Sequence, residues 1–264
     1  MKKNVKKGMG IKTKLIMMFV ILITIPLVAL GTFSYIKSVN ILEENLKTSS
    51  LQFVKQTEDS INNFLSGYEK GIMYMANDPN VQQVLSHPDS AQWMINSFRG
   101  YIKSHGEVKN IYLGTKSKDM HIYPYANLPS GYDPTSRPWY KDAVAKKELI
   151  WTDPYIDTET KELVISAAMP VYNSYNNKEF IGVVAIDLSL DTLSQKINEI
   201  EVGKNGYPVL LDKDKNAITH KNSDLIGLPV PIAEINDAID KKDEGSVDYE
   251  WEENGVMVEK FGVF

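Results

Sequence analysis

No charged residue occurs between positions 15 and 35, and most side chains there are apolar. As an α-helix rising roughly 1.5 Å per residue, this run covers about 30 Å, the thickness of a bilayer's hydrocarbon core. It reads as a transmembrane helix, which removes it from any water-soluble fold the rest of the chain builds. Pro26 is tolerable in such a helix because no water competes for the carbonyl it leaves free. Lys2, Lys3, Lys6, Lys7, Lys12 and Lys14 precede the run with no acid among them. By the positive-inside bias they hold the N-terminus in the cytoplasm and send everything after about residue 36 outside the cell membrane. A cleaved signal peptide is the competing explanation, but its apolar core is usually about 7 to 15 residues and ends at small side chains. This run is longer and continues through Phe33 and Tyr35, so an uncleaved anchor is expected.

The chain has no cysteine, which excludes disulfides, thiolate metal sites and cysteine nucleophiles. Its net charge of -5 includes the N-terminal lysines, so the remainder is more acidic than the total suggests and nucleic acid is not an expected partner. At 264 residues there is room for one large or two small domains beyond the anchor.

The order of elements predicts an α+β fold: an N-terminal transmembrane helix, a long stalk helix, and two PAS-like antiparallel-sheet modules, the second incomplete. Residues 1–14 form the basic cytoplasmic end, 15–35 the span and 36–76 the stalk. The stalk carries Ile36, Val39, Leu42, Leu46, Val54, Ile61, Phe64, Leu65, Tyr68, Ile72 and Met75 near helical spacing. Core packing and contact with a second copy of the helix are both consistent with that stripe. A first module, 77–200, begins after Asn77-Asp78-Pro79 with a helix over 81–104. Strands are expected over 108–115, 120–125, 149–157, 163–173 and 179–190, with a loop at 126–136, a short helix over 137–147 and a closing helix over 191–200. These five strands are expected to carry their helices on one side. The second module, 201–264, opens at Gly203-Lys204-Asn205-Gly206 and has strands near 207–211, 217–220, 245–250 and 257–263. No second apolar span precedes Phe264, so the chain is expected to be part of a longer protein.

Two opposite charges carry the chemistry. Arg137, in Tyr132-Asp133-Pro134-Thr135-Ser136-Arg137-Pro138-Trp139-Tyr140, offers a planar cation that grips a carboxylate through two parallel hydrogen bonds. Asp187, at a strand end, offers an acceptor-only anion for an ammonium, and Trp139 and the tyrosines add donors and ring faces. Together they suit a free α-amino acid. Each residue also has an ordinary role open to it: Arg137 can pair with Asp133 or Asp142, the aromatic rings can be core, and Asp187 can cap the helix near Asp191.

The anchor, the long helix, the Arg137-Pro138-Trp139-Tyr140 segment, Trp151-Thr152-Asp153-Pro154-Tyr155 and Gly182-Val183-Val184-Ala185-Ile186-Asp187 resemble the double Cache (dCache) sensor domains of bacterial methyl-accepting chemotaxis receptors. The resemblance runs from about residue 15 to the end. It implies that Tyr132, Arg137 and Trp139 hold a ligand carboxylate, while Tyr140, Tyr155 and Asp187 surround its ammonium in the membrane-distal module. It further implies a homodimer and a cytoplasmic signalling kinase reached through a region this chain lacks. Histidine kinases and cyclic-dinucleotide enzymes carry similar outer domains, so output is not read from these residues. An adaptor for a solute-binding protein is a further alternative.

Catalysis, metals and cofactors are not expected. His87, His105, His121 and His220 are too scattered for a helical metal pair, and no phosphate loop or nucleophile elbow occurs. His121 and Tyr125, on the strand before the loop, are read as exposed edge residues and not as ligand contacts.

Overall fold

The structure, a computed structural model, describes residues 10–176, 178–202, 206–253 and 255–264. Lys2, Lys3, Lys6 and Lys7, and residues 203–205 of the segment expected to open the second module, lie outside the described residues. Two compact units are distinguished, one up to Gln52 and the other formed by Phe53–Gly262.

Helix α1, Ile11–Ala76, supplies the first unit and the start of the second. In the first unit its apolar side chains, among them Phe19, Leu22 and Leu30, are exposed, and the helix is long and apolar enough to cross a membrane. The hydroxyls of Thr24 and Thr32 donate to the carbonyls of Val20 and Val28 at 2.7 and 2.8 Å, so neither polar group is left bare along the apolar run. The expected stripe divides along the helix. Ile36, Leu42 and Leu46 are exposed, whereas Ile61, Phe64, Leu65, Tyr68, Ile72 and Met75 join the core of the second unit.

The single helix expected over 81–104 is two, α2 (Pro79–Gln82) and α3 (Ser90–Ser104). Asp78 caps α2 by accepting from the Asn80 amide at 2.8 Å. Pro88, which has no amide hydrogen and disfavours helix at the residue before it, separates the two.

The sheet of the second unit contains β1 (Val108–Thr115), β2 (Met120–Tyr123), β3 (Ile150–Trp151), β4 (Tyr155–Ile156), β5 (Leu163–Asn173) and β6 (Glu179–Ser189). Its order is β2-β1-β6-β5-β3, with β4 also paired to β5, and the paired strands run antiparallel. The strand expected over 149–157 is interrupted at residues 152–154, where Pro154 cannot donate to the ladder.

Alternation along the strands separates two faces. Ile111, Leu113, Val184, Ile186 and Leu188 meet Ile72, Met75, Met94 and Phe98 from α1 and α3. Tyr112, Val183, Ala185 and Ala168 meet Trp139, Tyr140 and Ala143 of α4 (Pro138–Lys146) on the other. Helices thus cover both faces, not one as expected, because α4 has an aromatic face of its own to bury.

Small residues let α4 approach. A methyl group on Gly114 of β1 would stand 2.7 Å from Trp139 Cη2 and 2.8 Å from Pro134 Cβ. Gly114→Ala is therefore expected to destabilise the fold by about 1 to 3 kcal/mol, read as a lower urea midpoint. An unchanged midpoint would show that Trp139 is not packed down on β1.

Helix α5 (Leu190–Asn198) follows β6 directly and buries Leu190, Leu193 and Ile197. Beyond it lie β7 (Leu210–Leu211), β8 (Ala217–Thr219), α6 (Ala233–Ile239), β9 (Ser246–Glu253) and β10 (Val256–Val263). The strands expected there are present with shifted ends. They pair as two separate ladders, β7 with β8 and β9 with β10.

Candidate functional site

The face of the sheet that α4 covers in part also floors a cavity. Asp187 comes from β6, and its register partner on β5 is Ser166. Ser166 Oγ donates to Asp187 Oδ1 at 2.5 Å, Tyr112 Oη from β1 donates to the same oxygen at 2.7 Å, and Tyr155 Oη approaches it at 3.3 Å. Among the described residues no hydrogen bond reaches Oδ2, although Asp187 is only 2% exposed and lines the cavity. One oxygen is fixed and the other is unspent.

Burial pushes the Asp187 carboxyl up to about 7, while hydrogen bonds from Ser166, Tyr112 and Tyr155 oppose that rise. Burial, reinforced by the nearby Asp187 charge, also raises the Tyr112 and Tyr155 hydroxyls well above the ordinary tyrosine value. Both remain phenols and act as donors at neutral pH.

A short turn presents the opposite charge. Asp133 Oδ1 accepts from the Thr135 amide at 2.9 Å and so closes the 3-10 turn Pro134–Ser136. Arg137 then sits at the N-cap of α4 with Pro138 as the first helical residue, the place where a missing amide hydrogen costs nothing. Its Nη2 donates to Thr158 Oγ1 at 2.8 Å, its Cζ lies 5.8 Å from the centre of the Tyr132 ring, and its Nε is buried without a hydrogen-bond partner. The alternative ion pair with Asp133 is not formed, since Asp133 pairs with Lys118 at 2.8 Å. A guanidinium with donors unspent and a carboxylate with an oxygen unspent therefore line one cavity.

Of the six residues singled out in the sequence, Tyr132, Arg137, Trp139, Tyr155 and Asp187 line this cavity. Tyr140 is not brought to it. Its ring packs edge-on to Trp139 at 5.6 Å and to Phe180 at 6.3 Å. Trp139 itself is buried edge-on to Tyr112 at 4.9 Å and so joins the aromatic core to the cavity wall.

Sequence reading missed Tyr112 and Ser166, which hold Asp187, and also the walls formed by Met120, Ile122 and Leu128 and by Asp157, Thr158 and Glu159. The alternation of apolar Ile111 and Leu113 around Tyr112 was the one available signal for the tyrosine. The cavity measures about 20 Å³, roughly one water-sized sphere, so a larger guest enters only as the lining parts.

Residues 38–259 match the family model described as a Cache domain, of the dCache_1 type. The methyl-accepting chemotaxis protein McpA of Bacillus subtilis is 29% identical over 217 residues, 82% of this chain and 32% of that protein. The chain thus spans about a third of the length of the curated relatives it matches. Among solved structures, the ligand-binding domain of the Pseudomonas fluorescens chemoreceptor CtaA in complex with L-isoleucine superposes with a TM-score of 0.63 at 26% identity, covering 83% of this chain and 85% of that one. The ligand-binding domain of the Pseudomonas aeruginosa amino-acid chemoreceptor PctB in complex with L-Arg does so with a TM-score of 0.57 at 28% identity, covering 69% and 68%. With its sheet, its buried Asp187 and Arg137 at the start of α4 set in a region matched across most of its length, the chain belongs to the Cache domain family.

Proposed function

We propose that this chain is the sensor region of a transmembrane chemoreceptor, and that it binds a free α-amino acid between Arg137 and Asp187. One observation carries the reading: unspent guanidinium donors and an unspent carboxylate oxygen line the same cavity. Arg137, with Tyr132 and Trp139 beside it, takes the ligand carboxylate, and Asp187 Oδ2, bordered by Tyr155, takes the ammonium. Tyr140 acts behind Trp139 as packing. Support from similar structures is that CtaA and PctB hold L-isoleucine and L-arginine in the ligand-binding domains this chain resembles. The apolar run 15–35 anchors the chain in the membrane with its lysine-rich end inside, and the exposed stripe of α1 suits a homodimer whose kinase partner is reached through further sequence.

Binding becomes a signal only if the ligand holds one conformation better than another. A route from the site to α1 is available. Ser166, which holds Asp187, is tied through its backbone to Thr152, its amide donating to Thr152 Oγ1 at 3.0 Å and its carbonyl accepting from the Thr152 amide at 3.0 Å. The neighbouring Trp151 donates from Nε1 to Glu69 Oε1 on α1 at 2.9 Å. Trp151→Phe is expected to leave affinity within about threefold of the parent while cutting the ligand-induced change in spin-label distances on α1 by half or more. A full response in that variant would remove Trp151 from the route.

The function itself is tested by a thermal-shift screen of the whole chain in lipid nanodiscs against amino acids, organic acids and sugars. A receptor gains about 2.7 kcal/mol of stability at a hundred times its dissociation constant, and only with amino acids in the screen. No shift with any amino acid, together with a shift on adding a solute-binding protein, would favour an adaptor instead.

A further inference from the structure

We propose that the cavity selects amino acids with uncharged aliphatic side chains, which lie against a wall of Met120, Ile122 and Leu128, and rejects acidic ones. The inference rests on the amino-acid reading above and concerns the part of the ligand that reading leaves open. Met120 and Ile122 stand two residues apart on β2 and so share a face, with His121 turned the other way. In register, Ile122 is opposite Tyr112 and Met120 is opposite Gly114 on β1. The sheet order then sets the arrangement of the lining: Tyr155 on β4, Asp187 on β6, Tyr112 on β1 and finally the apolar pair on β2, with Ser166 of β5 buried between Tyr155 and Asp187. Arg137 reaches toward the β4 end, because it donates to Thr158, two residues beyond that strand. With both zwitterion poles engaged by Arg137 and Asp187, the side chain has the β2 end left to it, and Leu128 from the loop closes the same wall.

Charge argues in the same direction. Among the described lining residues Arg137 is the one cation, against three carboxylates, Asp157, Glu159 and Asp187. A zwitterion uses Arg137 and Asp187, so a third ligand charge that is negative meets two further anions and no cation. A cationic side chain finds one oxygen of each of those two anions already engaged. Asp157 Oδ2 accepts from the amides of Glu159 and Thr160, each at 2.7 Å, and from Thr160 Oγ1 at 3.2 Å, while Glu159 Oε1 accepts from the Asn127 amide at 2.9 Å. Both carboxylates tie the turn and the loop that roof the cavity.

The test is calorimetry on the whole chain in nanodiscs with L-leucine, L-isoleucine, L-alanine, L-glutamate and L-arginine. Leucine or isoleucine is expected to bind about tenfold more tightly than alanine and at least about a hundredfold more tightly than glutamate. Ile122→Ala is expected to shrink the leucine-to-alanine ratio to within about threefold, and Met120→Ala on the half-buried edge strand carries the same test should the first variant not fold. Glutamate or arginine binding more tightly than leucine would overturn the proposal, as would a truncation that weakens leucine and alanine by the same factor. In those cases amino-acid binding itself would stand. If none of the five ligands bound, both readings would fail together.

Discussion

Asp187→Asn is expected to weaken amino-acid binding by at least about a hundredfold, roughly 3 kcal/mol, while leaving the apo fold as stable at pH 8 as the parent or more so. The two halves of this result have one cause. Asparagine keeps an oxygen to accept from Tyr112 and Ser166 but loses the charge that an ammonium needs, so recognition is lost and the local hydrogen bonding is not.

The pH dependence follows from the same group. Burial raises its folded-state value from 3.8 to about 7, so between those limits the folded chain holds a proton that the unfolded chain releases. The stability this contributes is complete below about pH 4 and is lost as pH rises to about 7. The parent should therefore show a fall in melting temperature over that window that Asp187→Asn lacks. Ligand affinity runs the opposite way, since an ammonium needs the ionised carboxylate. It should be about tenfold tighter at pH 8 than at pH 6.

Arg137→Ala is expected to cost a similar hundredfold in affinity, and Arg137→Lys about tenfold or more, because an ammonium is a point charge that cannot match both oxygens of a carboxylate. Stability should change by less than about 1 kcal/mol in either variant. The hydrogen bond from Arg137 to Thr158 is half-exposed, and removing the guanidinium also removes the buried, unpartnered Nε. Calorimetric titration beside urea denaturation separates the two effects. A lysine variant that binds as the parent does would show that no bidentate contact is made.

The parts of the fold written in local pattern were legible in the sequence. β1 and β5 were expected at 108–115 and 163–173 and lie there, because segments rich in apolar residues are bounded by turn residues. At two prolines the reading ran too long, merging α2 with α3 across Pro88 and β3 with β4 across Pro154, whereas Pro170 is accommodated within β5. The side of the sheet taken by α4 was not legible at all. That depends on which face of β1 presents Gly114 and Tyr112, a tertiary fact.

The site divides in the same manner. Arg137, Trp139 and Tyr132 lie close in sequence around one capped turn, so their convergence with Asp187 was open to inference from residue types. Tyr140 was grouped with them on the family resemblance, whereas successive helical residues point about 100° apart and its ring packs against Trp139 and Phe180. Ser166 was invisible because its role comes from lying opposite Asp187, and strand register over paired β-branched runs leaves no local trace.

The central claim is that one ligand ammonium meets Asp187 while the ligand carboxylate meets Arg137. Its most direct test compares L-leucine with 2-hydroxy-4-methylpentanoate, which replaces the ammonium by a hydroxyl, on both the parent chain and Asp187→Asn. The parent should prefer leucine by at least about a hundredfold, and the variant by less than about threefold, giving a coupling of about 2 kcal/mol or more. Equal preference for leucine in the two proteins would mean that the ammonium is recognised elsewhere, and the account would be wrong.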